Sequence, residues 1–144
     1  MLRVVFDTVV FVRVLLNPQS ACGRLLSGPS DRYQLYLSTP LVIEILQVLA
    51  RDELVGKLER RRGAYVHIVG DLLNTFQKAL SVEIPIIPAV SRDPKDDKIL
   101  ATARAAGADY LVSEDQDLLV LGTYEGIQIV NAGTLLSILN QPVG

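Results

Sequence analysis

The sequence predicts an α/β fold with a central parallel sheet of about five strands. Short runs rich in β-branched and aromatic residues recur along the chain, and each is followed by a segment with helical periodicity, which is typical of a parallel sheet. The chain has 144 residues, of which 49% are apolar and 21% charged. A chain of this length buries roughly two-thirds of its unfolded surface without disulfides or a structural metal. We therefore expect one domain, residues 1–144.

The predicted strands are short, and each ends close to a polar residue. They are Arg3–Phe6, Gln34–Leu37, Glu83–Ile86, Asp109–Val112 and Ile127–Val130. Helices are expected at Val9–Leu16, Ala21–Leu26, Pro40–Arg51, Asp96–Ala106 and Ala132–Asn140, with a long or broken helix from Lys57 to Leu80 and a short turn after Ser113. Thr39-Pro40 and Asp93-Pro94 read as N-caps followed by proline, and Gly107 reads as a helix C-cap.

Composition removes several classes of protein. The formal net charge of -2 is not that of a generally basic, nucleic-acid-coating protein. A single cysteine, Cys22, excludes an internal disulfide and a cysteine-rich zinc site, and it fits a reducing compartment. Asp7 and Arg13 interrupt the apolar stretch Leu2–Leu16, so we read it as core and not as a signal peptide or membrane anchor. We expect a cytoplasmic protein without membrane association.

Two carboxylates stand in apolar surroundings that do not explain them. Asp7 lies between the runs Val4–Phe6 and Val9–Val12, so it should be at least half buried, and a buried ionised carboxylate needs a partner or a cation. Its structural alternative is an N-cap of the following helix. Glu44 has apolar neighbours on both sides and no Lys or Arg within helical reach, although it could lie on a solvated face.

Three more aspartates lie near predicted strand ends. Asp93 and Asp96 suit the start of a helix, which leaves Asp97 without a local role. Asp115 and Asp117 directly follow a buried strand, where the alternative is an acid-rich, N-capped first turn. Carboxyl ends of parallel strands share one edge of the sheet, and so many like charges there would repel unless a cation or protonation offset them. All-oxygen ligands favour Mg²⁺ or Mn²⁺ over zinc.

These segments together resemble the PIN-domain ribonuclease family, especially the toxins of bacterial and archaeal toxin–antitoxin systems, the VapC-type ribonucleases. The resemblance rests on Val4–Thr8, on Ser38-Thr39-Pro40 leading to Glu44, on Asp93–Ala101 and on Gly107–Leu119 followed by Gly126–Val130. It implies a PIN-like three-layer α/β/α sandwich.

The resemblance also implies a set of site residues. Asp7, Glu44 and Asp97 match the first three acidic positions, and Asp115 matches the fourth as a direct ligand, with Asp117 a further or water-mediated one. Thr8 and Ser113 match supporting hydroxyl positions. In one departure, Val9 stands where family members usually carry Asn.

The resulting hypothesis is a metal-dependent endoribonuclease. Mg²⁺ or Mn²⁺ held by Asp7, Asp97 and Asp115 would activate water for in-line attack on a phosphodiester, and Glu44 or Asp117 would complete a second ion site. RNA as substrate, a small antitoxin in the cleft and a homodimer are what the resemblance implies. Basic residues near the cleft are candidates for phosphate contacts, although a basic run is often only solvated. They are Arg13, Arg51, Arg60, Arg61 and Arg62.

Two other functions remain open at this stage. The first is a PIN-fold module that binds RNA or a protein and whose catalysis is weakened by Val9. The second is a phosphohydrolase or receiver-type domain with Asp7 as nucleophile. That class needs a lysine after a later strand, whereas Lys95 and Lys98 precede one.

Overall fold

The computed structural model describes residues 1–29, 31–59, 62–85 and 94–141, and for 58–59, 62–69 and 94–97 it describes the helical backbone but not the side chains. The strands are β1 (Leu2–Phe6), β2 (Tyr33–Leu37), β3 (Leu80–Ser81), β4 (Tyr110–Val112), β5 (Thr123–Tyr124) and β6 (Ile127–Val130). The helices are α1 (Thr8–Leu16), α2 (Ala21–Ser27), α3 (Thr39–Leu49), α4 (Asp52–Glu59), α5 (Arg62–Lys78), α6 (Pro94–Ala105), α7 (Gln116–Leu119) and α8 (Ala132–Leu139).

The strands form one sheet in the order β3-β2-β1-β4-β6-β5, parallel except for β5. The chain moves from β1 to β2 and β3 in one direction, and then returns through α6 to β4 on the other side of β1. Because crossovers between parallel strands are right-handed, this reversal places helices on both faces of the sheet. The predicted three-layer α/β/α architecture is confirmed.

The core lies between the sheet and these helices. Val4, Val5 and Phe6 of β1 are fully buried because the strand is central and covered on both faces. The ring of Phe6 packs against Phe11 of α1 and Tyr33 of β2, with centroids 6.0 and 5.6 Å away. The apolar stretch Leu2–Leu16 is thus used as core, as expected. Among the described residues no helix is both long and apolar enough to cross a bilayer.

The position predicted for the third strand was wrong. The prediction was Glu83–Ile86, whereas the structure has a strand at Leu80–Ser81 and none at 83–85, and Ile86 lies outside the described residues. Leu80 and Ser81 pair with Tyr36 and Leu37, and the Val82 amide donates to the Leu37 carbonyl. The ladder stops there because β2 ends at Leu37, and Pro85 has no amide hydrogen to extend it.

A short antiparallel strand, β5, was not predicted. It pairs Thr123 with Gln128 and Tyr124 with Ile127. Glu125 and Gly126 form the two-residue turn, and both have positive φ, 48° and 83°. Such turns match the twist of hairpin strands, but Glu at the first turn position gives a weak sequence signal because Asn, Asp and Gly are preferred there.

The helix ends are mostly where the sequence predicts them. Gly107, with φ of 58°, ends α6, and the Ala108 amide bonds the Ala103 carbonyl beyond it. The N-cap of α3 is Ser38 and not Thr39, since the Ser38 hydroxyl accepts from the Leu41 amide. The region predicted as one long or broken helix, Lys57 to Leu80, contains α5 and only the end of α4, which begins at Asp52. The predicted cap Asp93 lies outside the described residues.

Candidate active site

The site lies where the strand order of the sheet reverses. β1 lies between β2 and β4, so the residues that follow β1 and β4 come together at the carboxyl edge. The register pairs Phe6 with Val112, and the amide of Asp7 donates to the Val112 carbonyl at 2.9 Å. Asp7 and Ser113 are therefore neighbours, although 106 positions separate them in the chain.

Asp7 accepts two hydrogen bonds, one on each oxygen. The Thr8 amide donates to Oδ1 at 2.7 Å, and the Ser113 hydroxyl donates to Oδ2 at 3.0 Å. The first bond makes Asp7 the N-cap of α1, which was its structural alternative. The cap does not exhaust the carboxylate, because an ionised aspartate offers about four lone-pair sites.

Burial raises the pKa of Asp7 above its usual range. The bonds from Ser113 and Thr8 lower the pKa, and the negative charges of Glu44 and Asp115 raise it further. Loss of hydration is the largest of these effects, because the charged form is the one that water stabilises. The effects of Glu44 and Asp115 on Asp7 also indicate that these three carboxylates share one region.

Glu44 faces this region from α3. Its Oε2 accepts the hydroxyl hydrogen of Thr8 at 2.8 Å, and Thr8 itself is buried. Glu44 is partly buried, so it is not on a fully solvated helix face. Thr8 thereby connects two carboxylates: its amide binds Asp7 and its hydroxyl binds Glu44.

The segment after β4 contributes Ser113, Asp115 and Asp117. The buried Ser113 hydroxyl accepts from the Asp115 amide at 3.0 Å while it donates to Asp7. Asp115 is the N-cap of α7, and its Oδ1 accepts from the Asp117 amide at 3.0 Å. The capped-turn alternative is therefore realised, with Asp115 lone pairs remaining. Asp117 is exposed.

Helix α6 carries Asp97, whose side chain lies outside the described residues. The helix is fixed to the site by a buried pair of hydroxyls, Ser38 Oγ and Thr102 Oγ1, 2.7 Å apart. Thr102 also donates to the Lys98 carbonyl one turn earlier, next to Asp97. Thr102 could not be recognised from the sequence, because a threonine within a helix carries no signal of an interhelical bond.

The predicted phosphate contacts are only partly described. Arg13, in the last turn of α1, and Arg51, just after α3, are exposed. In the described part of the chain neither forms an ion pair. Arg60 and Arg61 lie outside the described residues, as does the side chain of Arg62.

Glu114, in the segment between β4 and α7, is an acidic residue for which no role was predicted from the sequence. Its Oε1 accepts from the Ala132 amide at 3.0 Å and from the Cys22 thiol at 3.6 Å. Burial, with the nearby Glu114 charge, raises the pKa of Cys22 to about 12, so it remains a thiol and a donor. No local pattern pairs residues 22 and 114, and so the sequence could not reveal this contact.

The donor set has the chemistry of a hard divalent cation site. Asp7, Glu44 and Asp115 supply only oxygen atoms, and their repulsion is what a cation would relieve. Within the described residues, however, no three or more His, Cys, Asp or Glu side chains are grouped tightly enough to hold a metal ion. Asp97, another predicted ligand, lies on α6 with its side chain outside the described residues.

Comparisons with known proteins identify the family and the fold. A family model described as PIN domain matches residues 3–117. The structure is similar to a chain in the crystal structure of VapBC2 from Rickettsia felis bound to a DNA fragment from their promoter. The TM-score is 0.59 and the identity 10%, over 90% of this chain and 98% of that one, which shows a shared fold. No curated protein sequence matches. Because the PIN domain family model matches residues 3–117, which are most of the chain, the chain belongs to the PIN domain family.

Proposed function

We propose that this chain is a divalent-metal-dependent endoribonuclease and the toxin of a toxin–antitoxin pair. Family membership supports a nuclease of the PIN class in general. The observation that carries the finer proposal is the hydrogen-bonded series at the strand reversal, in which Ser113 joins Asp7 to the Asp115 amide and Thr8 joins Asp7 to Glu44. Helix caps alone do not require the carboxylates that follow β1 and β4 and the one on α3 to lie at the same edge of the sheet.

Asp7 and Asp115 would hold Mg²⁺ or Mn²⁺ together with Asp97, and Glu44 and Asp117 would assist. When bound, such a cation supplies Lewis acidity, which acidifies water and offsets the charge of the reacting phosphate. Ser113 keeps Asp7 and the backbone of Asp115 at fixed separation through one hydroxyl. Thr8 orients Asp7 through Oδ1 and Glu44 through Oε2.

We expect products with 5′-phosphate and 3′-hydroxyl ends. The described site contains carboxylates and hydroxyls and no histidine to deprotonate a ribose 2′-hydroxyl, and the side chain of His67 is outside the described residues. Attack by water on phosphorus, in line with the 3′ oxygen, leaves those ends. An acidic cleft also needs cations for its polyanionic substrate, and exposed Arg13 and Arg51 are the described candidates.

Cleavage of defined RNAs with Mn²⁺ tests this function. Wild type should cleave, and Asp7→Asn or Asp97→Asn should lose more than the about 10- to 100-fold in rate that removal of a partner orienting a metal ligand costs. Asp31→Asn is the matched control, because Asp31 is exposed and precedes β2 at the opposite edge of the sheet. Equal activity in all four proteins, or no cleavage of any RNA by wild type, would defeat the proposal.

A small antitoxin and a second copy of the chain are the proposed partners. The VapBC2 relative in fold supports an antitoxin. An apolar groove of about 440 Å³ between α3, α5 and β3 supports a protein contact, since it includes half-exposed Ile43, Leu46 and Leu80. Co-purification with the product of a neighbouring short gene, and the mass of the chain in solution, test the two partners separately.

Val9 favours a second candidate, a PIN-fold module that binds RNA or protein without efficient catalysis. Val9 follows Thr8 on α1 and is 37% exposed, so an apolar side chain occupies the position next to the supporting hydroxyl. If this candidate is right, wild type binds RNA without cleaving it, and Val9→Asn restores cleavage with Mn²⁺. Under the nuclease proposal wild type already cleaves, and Val9→Asn raises the rate by about tenfold or less.

A further inference from the structure

Glu114 connects three elements through one oxygen atom. Oε1 accepts from the amide of Ala132, the first residue of α8, and from the thiol of Cys22 in α2. The first amides of a helix have no partner within it, so an acceptor oxygen there is favourable. Cys22 is only 2% exposed and Glu114 is partly buried, so the contact is shielded from water.

In the sequence, Glu114 lies between two residues of the site, Ser113 and Asp115. Ser113, just before Glu114, is held on both sides: its amide donates to the Val130 carbonyl of β6, and its hydroxyl binds Asp7. The amide of Asp115, just after Glu114, donates to the Ser113 hydroxyl. The side chain of Glu114 thus anchors the turn between the fixed Ser113 and the carboxylate of Asp115 to α8 and α2.

We propose that Glu114 is a positioning residue, whose bonds to Ala132 and Cys22 fix the segment between β4 and α7 and so set where Asp115 stands relative to Asp7. This role rests on the proposed function. It requires the reach and the acceptor of Glu114 but not its charge, because both donors use the same oxygen. Partners that orient metal ligands typically contribute about 10- to 100-fold to metal affinity or activity.

Two substitutions separate reach from charge. Glu114→Gln keeps the length and the Oε1 acceptor and removes the charge, so it should bind Mn²⁺ with nearly wild-type affinity. Glu114→Asp keeps the charge and shortens the side chain by one methylene, so it should weaken Mn²⁺ binding by about 10- to 100-fold. The loss in RNA cleavage should appear in kcat more than in KM, because Glu114 is not a proposed phosphate contact.

Asn131→Ala is the matched control. Asn131 caps the same helix through the Thr134 amide at 2.8 Å, so its loss weakens the start of α8 without releasing residues 113–115. Its Mn²⁺ affinity should equal that of wild type. Hydrogen exchange in metal-free protein gives a second readout: the amides of Asp115 and Ala132 should exchange faster in Glu114→Asp than in Glu114→Gln.

The possible results distinguish this role from the proposed function. Wild-type affinity in Glu114→Asp, or an equal loss in Asn131→Ala, would overturn the positioning role while leaving a wild-type nuclease intact. Weak Mn²⁺ binding in Glu114→Gln would also overturn it, because charge would then be the requirement. A wild-type chain that binds no Mn²⁺ would contradict the proposed function, and the positioning role with it.

Discussion

Asp7 combines two roles that the sequence presented as alternatives. Its carboxylate caps α1 through the Thr8 amide, and it also lies beside Glu44 and Asp115 at the strand reversal. A cap alone is satisfied by a neutral side chain such as Ser or Asn. Burial thus disfavours the charged form of Asp7 in the fold, as the raised pKa of its carboxyl shows.

The pH dependence of stability should reveal that cost. The pKa of Asp7 is raised in the fold by burial, so the native state holds its proton where the unfolded chain has lost it, and stability falls as pH rises through this range. Below the unfolded pKa of about 4 both states are protonated and the penalty vanishes. Asp7→Asn should therefore gain stability over wild type as pH rises from about 4 to 8.

Urea unfolding in EDTA at several pH values measures this effect. The informative quantity is the change with pH of the difference between variant and wild type, because a constant difference in hydrogen bonding cancels. Asp31→Asn, which removes an exposed carboxylate at the other edge of the sheet, is the control. A difference for Asp7→Asn that stays constant or shrinks as pH rises would show that Asp7 is not strained by its charge.

A buried polar contact adds to the apolar packing between two helices at the site. Ser38, the N-cap of α3, bonds Thr102 of α6, and both hydroxyls are buried, at 1% and 0% exposure. Their bond fixes the helix that carries Asp97 to the helix that carries Glu44. The Thr102 hydroxyl donates along α6 to Lys98, so the Ser38 hydroxyl is the donor between the helices.

Thr102→Val should destabilise the fold by about 1–3 kcal/mol. The change preserves shape but leaves the buried Ser38 hydroxyl without its acceptor, which costs the desolvation of that group. Thr75→Val is a matched control, since Thr75 is also a buried helical threonine that donates to the carbonyl four residues earlier. Urea unfolding should show the smaller loss for Thr75→Val, and equal losses would contradict an interhelical role for Thr102.

At the scale of the whole molecule, the sheet order creates the site. Because β1 is central, the ends of β1, β2 and β4 form one edge that gathers Asp7, the start of α3 and Ser113. The near-neutral total of -2 conceals this arrangement, because a sum over the chain does not show that Asp7, Glu44 and Asp115 lie near one another. A cation bound there should act on global stability, since it binds the folded state only.

Saturating Mn²⁺ should therefore raise the melting temperature of wild type. At about 100 times the dissociation constant the stabilisation is roughly 2.7 kcal/mol, or about 8 °C for a domain of this size. Asp7→Asn should lose most of that shift, and Asp31→Asn should keep it. Thermal unfolding with and without EDTA gives the measurement, and an identical shift in all three proteins would mean that the cation binds elsewhere.

Local patterns in the sequence determined much of this protein. Strand periodicity located β1, β2, β4 and β6. Gly107, which has positive φ just after the last residue of α6, Ala105, marked the end of that helix. The resemblance of short motifs indicated the family that the match over residues 3–117 shows. The predicted position of β3 was wrong, because the position of a two-residue strand depends on where its partner strand ends.

Tertiary structure alone decided which groups meet. The bond from Ser113 to Asp7 spans 106 positions, and that from Cys22 to Glu114 spans 92. Sequence periodicity reports which face a residue occupies within its own helix or strand, and it carries no information on such distant pairs. The acidic residues could therefore be named from the sequence. The hydrogen bonds by which Ser113 and Thr8 connect them, and the contacts of Glu114, form only because the sheet brings β1 and β4 side by side.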